Sequence, residues 1–289
     1  MRAQKGLLAA LLRWLAGVLA AGFLAAALLY LAPGARVDER ELDPTLSEEA
    51  RAALRAEGAG RGGLLGFYVD YLRAAVRGEF GDSRTYGVPV RQLLEERWRL
   101  TASSVLRGWS AAWVLGLGAA LLCARWRWSA GPFTAASAVL VSMPSGLLAI
   151  LFFVLRWPVA GILAAAVFPR VFRYTRNLLE AAAGSPHCLA ARARGVSRGR
   201  LLFFHQAWPV WPEAVTLAGV TISAAIGAAI PAEALCDVAG LGQLAWKSAL
   251  ARDLPLLVAL TLVIAAVTLG CNMLAGAAAS LGGERRWRA

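Results

Sequence analysis

Few residues of this chain have the means to do chemistry, and none of them is visibly paired. Glu180, Glu233 and Asp237 each stand singly near the end of an apolar stretch. Acid–base work needs groups held within hydrogen-bond reach of one another, and the spacing offers no such pair. His187 and His205 fall in one arginine-rich loop, and no acidic partner or nucleophile pairs visibly with either. His205 lies among Phe203, Phe204 and Trp208 and reads as an interfacial anchor. Cys123, Cys188, Cys236 and Cys271 are far apart, and no C-x-x-C occurs. Neither a zinc site nor a disulfide framework is supported, and they read as small buried hydrophobes. No G-x-x-x-x-G-K-[ST] or H-E-x-x-H is present. Gly58, Gly60 and Gly63 have the form G-x-G-x-x-G but follow a charged helix rather than a strand, so they read as a flexible loop. The sequence therefore argues for no catalytic residue, no metal and no cofactor, and an intramembrane enzyme is the weakest reading.

Two features remain. Glu233 is an ionisable group within an apolar stretch, a functional candidate by default, and equally well placed to cap the loop that follows. The second feature is mechanical. Ala191-Arg192-Ala193-Arg194-Gly195-Val196-Ser197-Arg198-Gly199-Arg200 precedes Leu201, Leu202, Phe203, Phe204 and His205. Ala190 to Arg194 suits a short helix, and Gly195 a turn out of it. Small alanines admit a close partner surface, and flanking arginines suit acidic groups on it. A short helix between two membrane spans passes a push from a soluble subunit into both. The plainer reading is an ordinary basic loop obeying the positive-inside rule.

The elements that position these residues are membrane spans. Hydrophobic residues make up 58% of the 289, against about 45–50% for a soluble domain. A net charge of +12 would suggest nucleic acid in a soluble protein. Here it is spread over short loops between apolar stretches, so no nucleic acid partner is expected. Apolar stretches run over about 6–31, 101–124, 133–155, 158–172, 213–235 and 254–281, with Arg13 interrupting the first. The first is too long for a signal peptide and reads as an uncleaved span ended by Ala32-Pro33-Gly34. The fourth is short and extends toward Leu179, with Arg170, Arg173 and Arg176 near its aqueous end. Pro144 and Pro169 lie inside spans. Trp126, Trp128, Trp157, Trp208, Trp211 and Trp246 flank them as an aromatic belt. Gly116, Gly118, Gly146, Gly161, Gly219, Gly227 and Gly270 serve either close packing or bending.

Residues 35–100 are polar, with twelve acidic residues and eleven arginines. Leu46 to Glu57 reads as a soluble helix, with Thr45 and Glu48 as a capping box. Phe67 to Val76 is amphipathic and suits the membrane face, and Tyr86-Gly87-Val88-Pro89 is a turn. Arg125 and Arg127, the arginines from Arg192 to Arg200, and Arg285, Arg286 and Arg288 fall on one side with the amino terminus, which is then cytoplasmic. The organisation is a first transmembrane helix over 1–34, an extracytoplasmic segment over 35–100, and a core of five spans over 101–289 with a cytoplasmic loop at 181–212.

The loop resembles the EAA motif of ABC-importer permeases, in the form used by the dipeptide/oligopeptide/nickel importer family. That form is A-R-A-K-G followed at about ten residues by a histidine. Here Ala191-Arg192-Ala193-Arg194-Gly195 is followed by His205. Arg173-Tyr174-Thr175-Arg176 and Leu179-Glu180 are similar to the family's R-Y-T-R and L-E. Glu233, then Gly240-Leu241-Gly242, then Ala251-Arg252-Asp253 and Pro255 resemble its glutamate, G-L-G and A-R-D-x-P. Leu31-Ala32-Pro33-Gly34, Gly78-Glu79-Phe80-Gly81-Asp82-Ser83, Gly87-Val88-Pro89-Val90 and Ser142-Met143-Pro144-Ser145 resemble its L-A-P-G, G-x-x-G-x-S, G-x-P-V and S-x-P-S. Three departures stand out. Leu189 occupies the motif's glutamate position, Pro212 comes one residue before the place of the family's proline, and only Arg156-Trp157-Pro158 separate the third and fourth stretches.

The resemblance implies an all-α membrane protein of the type I ABC importer permease fold, the first-permease subunit, with six transmembrane helices in the bacterial inner membrane. It implies Ala190, Ala191, Arg192, Ala193, Arg194, Gly195 and His205 as the ATPase-coupling loop. Glu233, Gly240, Gly242 and Asp253 are implied as gate or loop-capping residues. The implied partners are a second homologous permease, two cytoplasmic ATPase subunits that hydrolyse the ATP, an extracytoplasmic substrate-binding protein and membrane lipid. The substrates implied are peptides, nickel or related small solutes. A transport-inactive scaffold of the same fold is the alternative.

Overall fold

The computed structural model describes residues 2–31, Ser47 and 63–284. The helix stop at Ala32–Gly34, the helix expected over Leu46–Glu57 with its capping box, Gly58, Gly60 and the tail arginines lie outside the described residues. Every regular element among the described residues is helical: α1 (Arg2–Leu31), α2 (Gly63–Val76), α3 (Val90–Arg125), α4 (Ala130–Ser142), α5 (Ser145–Val154), α6 (Val159–Ala183), α7 (Pro186–Ala193), α8 (Trp211–Leu235), α9 (Leu241–Leu250) and α10 (Leu254–Glu284). Short 3-10 and π-helical turns link Arg198 to α8, so that Arg198–Leu235 is one long helical run.

Four of these are long and apolar enough to cross a membrane: Leu8–Leu28, Val90–Arg125, Arg198–Leu235 and Leu254–Ala278. A fifth is added if α4 and α5 count as one span. The stretch expected over 133–155 is in fact broken between them and bent by 107°. Met143 is extended there and Pro144 opens α5, because proline has no N–H to continue the ladder. Helix α3 begins at Val90, well ahead of the apolar stretch at 101. Only 11% of the apolar window of α1 is buried, and Leu8, Leu12, Leu24 and Leu28 stand exposed. The six flanking tryptophans are all exposed, as a belt requires.

Contacts divide the chain into two compact units. In the first, residues 1–98 with 244–266, α2 is fastened by its tyrosines, which share a face at i and i+3. The Tyr68 hydroxyl donates to the Leu19 carbonyl at 2.6 Å, and its ring meets Phe23 edge-on at 5.6 Å. The Tyr71 hydroxyl donates to Pro255 O at 3.1 Å, and Trp14 Nε1 to Ala266 O at 3.0 Å. Burial, then the charge of Asp253, pushes the Tyr71 phenol well above its ordinary pKa and keeps it a donor.

The second unit, 99–243 with 267–289, is built around α6. Its buried side, including Ile162, Leu163, Val167 and Val171, packs with Leu148 of α5 and Ala225, Ala229 and Ala232 of α8. Gly108 and Gly116 let α3 lie against α6, since a Cβ at Gly108 would sit 2.7 Å from Ala160 O and one at Gly116 2.8 Å from Val171. Arg173 Nε donates to Ser137 Oγ at 2.6 Å and Arg176 to Thr134 Oγ1 at 2.5 Å, which pins α4 to α6.

A single hydroxyl ties α3 to α8. Trp109 Nε1 and Trp113 Nε1 each donate to Thr221 Oγ1 at 3.0 Å, and Thr221 is fully buried. Thr221→Val keeps the shape and strips both indoles of their acceptor, a loss of about 1–3 kcal/mol. Thermal unfolding followed by tryptophan fluorescence should show a drop of several degrees for Thr221→Val and little change for Thr221→Ser. Equal behaviour of the two would remove the hydroxyl from the account.

Candidate functional site

The arginine-rich loop folds as a short helix with a defined start and stop. Ser185 precedes α7 with extended backbone, and Pro186 fills its first turn, where a missing N–H is harmless. At the other end Gly195 takes φ +78°. Its N–H donates to Arg192 O at 3.1 Å, and the Val196 N–H to Ala191 O at 3.2 Å. This is a Schellman closure, which needs a left-handed residue at that one position. Cys188 and Ala191 are buried on the inner face. Leu189, Ala190, Arg192, Ala193, Arg194 and Gly195 are exposed on the outer one. Among the described residues, Arg192, Arg194, Arg198 and Arg200 form no ion pair.

A proline fastens α7 to the next helix. In a regular helix the N–H four residues on would bond the His205 carbonyl. That residue is Pro209, which has none, and Leu201–Ala207 winds as a π-helix instead. The His205 carbonyl instead accepts the Cys188 thiol at 3.0 Å and lies 3.1 Å from His187 Nε2. His205 thus belongs to the site through its backbone.

Glu233 is fully buried at the far end of α8. Its Oε2 accepts the Thr101 hydroxyl at 3.0 Å and the Gly242 N–H at 2.7 Å. The Leu241 N–H donates to Thr101 Oγ1 at 2.7 Å. Two orphan donors at the start of α9 are thereby met by a hydroxyl and a carboxylate, and the carboxylate suits the positive end of a helix. A Cβ at Gly240 would collide with both the Glu233 carboxylate and the Thr101 hydroxyl, and one at Gly242 would lie 2.8 Å from Ala229 O. Glu233 Oε1 is buried with no partner among the described residues.

Asp253 has a separate set of partners, all within the first unit. Its Oδ2 accepts the Ser83 hydroxyl at 2.5 Å and the Thr85 N–H at 3.0 Å, and its Oδ1 the Leu256 N–H at 3.3 Å. It caps α10 and holds the turn at Ser83–Gly87, which is closed by Gly87 N–H to Ser83 O at 2.9 Å. The structure thus brings Glu233, Gly240 and Gly242 together and gives Asp253 its own clasp. Sequence reasoning gave no role to Thr101, Ser83 or Cys188. Ser83 ends the G-x-x-G-x-S stretch, whereas nothing in the sequence marks Thr101. Among the described residues no cluster of His, Cys, Asp and Glu is arranged to hold a metal ion.

Residues 112–285 match the family of binding-protein-dependent transport system inner membrane components. The chain is 27% identical to a probable peptide ABC transporter permease protein, y4tP, of Sinorhizobium fredii, over 88% of this chain and 90% of that one. It is 25% identical to the oligopeptide transport system permease protein OppB of Salmonella typhimurium, over 83% and 85%. It is 28% identical to a putative peptide permease protein of Brucella ovis, over 86% and 88%.

Both donors converge on one oxygen of Glu233, so Glu233→Gln retains an acceptor there and Glu233→Ala does not. The alanine variant should lose about 1–3 kcal/mol per stranded donor and melt well below the glutamine variant. Equal melting temperatures would show that the clasp is not what holds the loop. Pro209→Ala returns a backbone N–H to the His205 carbonyl in competition with Cys188. The thiol, now 1% exposed, should then react several-fold faster with a small maleimide, and an unchanged rate would discount the tether.

Proposed function

Because the chain belongs to the family of binding-protein-dependent transport system inner membrane components, we propose that it is the permease subunit forming half the pore of an ATP-binding-cassette importer. Its substrates are peptides, nickel or related small solutes, with peptides favoured by the relatives' names. Six spans supply the half-pore: α1, α3, the bent pair α4–α5, α6, α8 and α10. Both termini and α7 are cytoplasmic, as the loop arginines require. Residues 35–100 are extracytoplasmic and receive the binding protein or shield the pore mouth.

The observation that carries the reading is α7. It is a stopped, amphipathic helix whose outer face is small and cationic. Its inner face is tethered to the backbone of the run leading into α8. The mechanism is a lever. Two ATPase subunits close on ATP and displace α7. The displacement enters α6, which precedes α7 directly, and reaches α8 through the His205 carbonyl. The two permeases then change the side on which the pore is open. The Glu233–Thr101 clasp keeps the start of α9 attached to the far end of α8 as it moves. The second permease is a paralogue, and lipid surrounds α1.

Gentle affinity purification from the native membrane, with mass spectrometry of what accompanies the chain, tests this directly. Two P-loop ATPase subunits and a second, different six-span permease are expected. A chain that emerges alone, with α7 cross-linking to no ATPase, would favour the inactive scaffold. Gly195→Val forces a β-branched side chain into a left-handed conformation, which costs at least about 1–2 kcal/mol. It should abolish uptake while membrane insertion is retained. Undiminished uptake in this variant would overturn the lever.

A further inference from the structure

One face of α6 is polar in its second half. Arg170, Arg173, Tyr174 and Asn177 recur at i, i+3, i+4 and i+7, which places them on one side of the helix, and all four are exposed. Together with Thr216 of α8 they line a cavity of about 400 Å³. Its remaining wall is apolar, with Val141, Leu217 and Val220.

The two arginines differ in how they are held. Arg173 Nε donates to Ser137 Oγ at 2.6 Å, and Ser137 is fully buried, so this guanidinium is fixed from behind. That bond uses one of its five donors. Arg170 bonds only to its own helix, at Ala166 O, 3.2 Å away. Among the described residues neither is ion-paired with a carboxylate. A cation within a spanning helix is expensive and avoids lipid, facing a bundle interior or a water-filled path. Two of them without counter-charge, beside a cavity of small-ligand size, leave a place for an anion. A planar guanidinium matches a carboxylate in particular, with two parallel N–H donors. The hydroxyls of Tyr174 and Thr216 and the amide of Asn177 suit peptide N–H and C=O groups, and the apolar wall suits a small side chain.

We propose that this cavity is a carboxylate-binding station on the translocation path, taking the C-terminal carboxylate of a short peptide. Arg173 is the anchor and Arg170 the second cation. The proposal rests on the importer reading, in which α6 crosses the membrane.

The test uses the chain with whatever partners it carries, purified in detergent, and Thr216→Cys as a reporter in the cavity. Its labelling rates with a sulfonate-bearing and a trimethylammonium-bearing methanethiosulfonate are compared, with the unsubstituted protein giving the background of its own cysteines. The sulfonate reagent should be favoured. Arg170→Gln combined with Arg173→Gln should lower the sulfonate-to-ammonium ratio roughly tenfold or more. Arg170→Gln alone, which breaks no contact between helices, should lower it in part and guards against misfolding of the pair. Trialanine should slow labelling, and trialanine with an amidated C-terminus should not. An unchanged ratio in both arginine variants, equal protection by acid and amide, or a reporter inaccessible to both reagents would overturn the station. The importer reading is scored separately. A chain lacking ATPases, whose labelling ratio still responds to the arginines and whose reporter trialanine alone protects, would refute that reading and leave the carboxylate site standing.

Discussion

The first N–H groups and last carbonyls of a helix have no partner within it, and this chain answers that constraint at its helix ends. The carbonyls at the ends of α2, α5, α7, α8 and α9 are all recaptured by the turn that follows. In each case the residue in the left-handed conformation is Gly78, Arg156, Gly195, Asp237 or Arg252. The donors at the start of α9 are met by Thr101 and Glu233, and Asp253 does the same for α10. The motifs that stand out in the sequence, G-L-G after a glutamate and A-R-D-x-P, are these closures. Three of the five left-handed positions are not glycine, so their strain is carried by the hydrogen bonds that form only there.

Much of this was legible before any coordinates. The short helix stopped at Gly195 and five of the six apolar stretches follow from period, composition and turn chemistry, whereas the fourth, in α6, is not among the helices long and apolar enough to cross a membrane. Less legible was how each stretch is built. The region 133–155 reads as one apolar run, yet the absent N–H of Pro144 divides it, whereas Pro169 is absorbed within α6. The glycines show the same limit. Gly116 and Gly219 have neighbours where a side chain would go, while Gly118, Gly146 and Gly227 have none. The letter is the same, and only the facing helix separates packing from open space.

The residues that sequence reasoning passed over share one property: their partners lie well away along the chain. Thr101 serves the start of α9, and Ser83 is held by the N-cap of α10. Cys188 bonds a carbonyl whose own donor was removed by Pro209. Such roles leave no periodicity to read. His205 is the reverse case, a titratable residue in a recognisable place whose contribution to the tether is made by its peptide group.

The tight connection between α5 and α6 also bears on how the chain is made. Only Leu155 to Pro158 separate the two helices, and Trp157 N–H is already bonded back to Phe152 O. Helix α6 carries Arg170, Arg173 and Arg176 toward its aqueous end, and each is a cost to insertion that would reach about 2.5–3.5 kcal/mol at the centre of a span. Helix α5 is short and apolar throughout after Ser145. The ribosome therefore delivers the greasy partner first and the reluctant one immediately behind it, on a turn too short for them to part. On the importer reading, in which α6 is a span, the pair enters the bilayer as one hairpin and the arginine-bearing helix crosses as cargo of its neighbour.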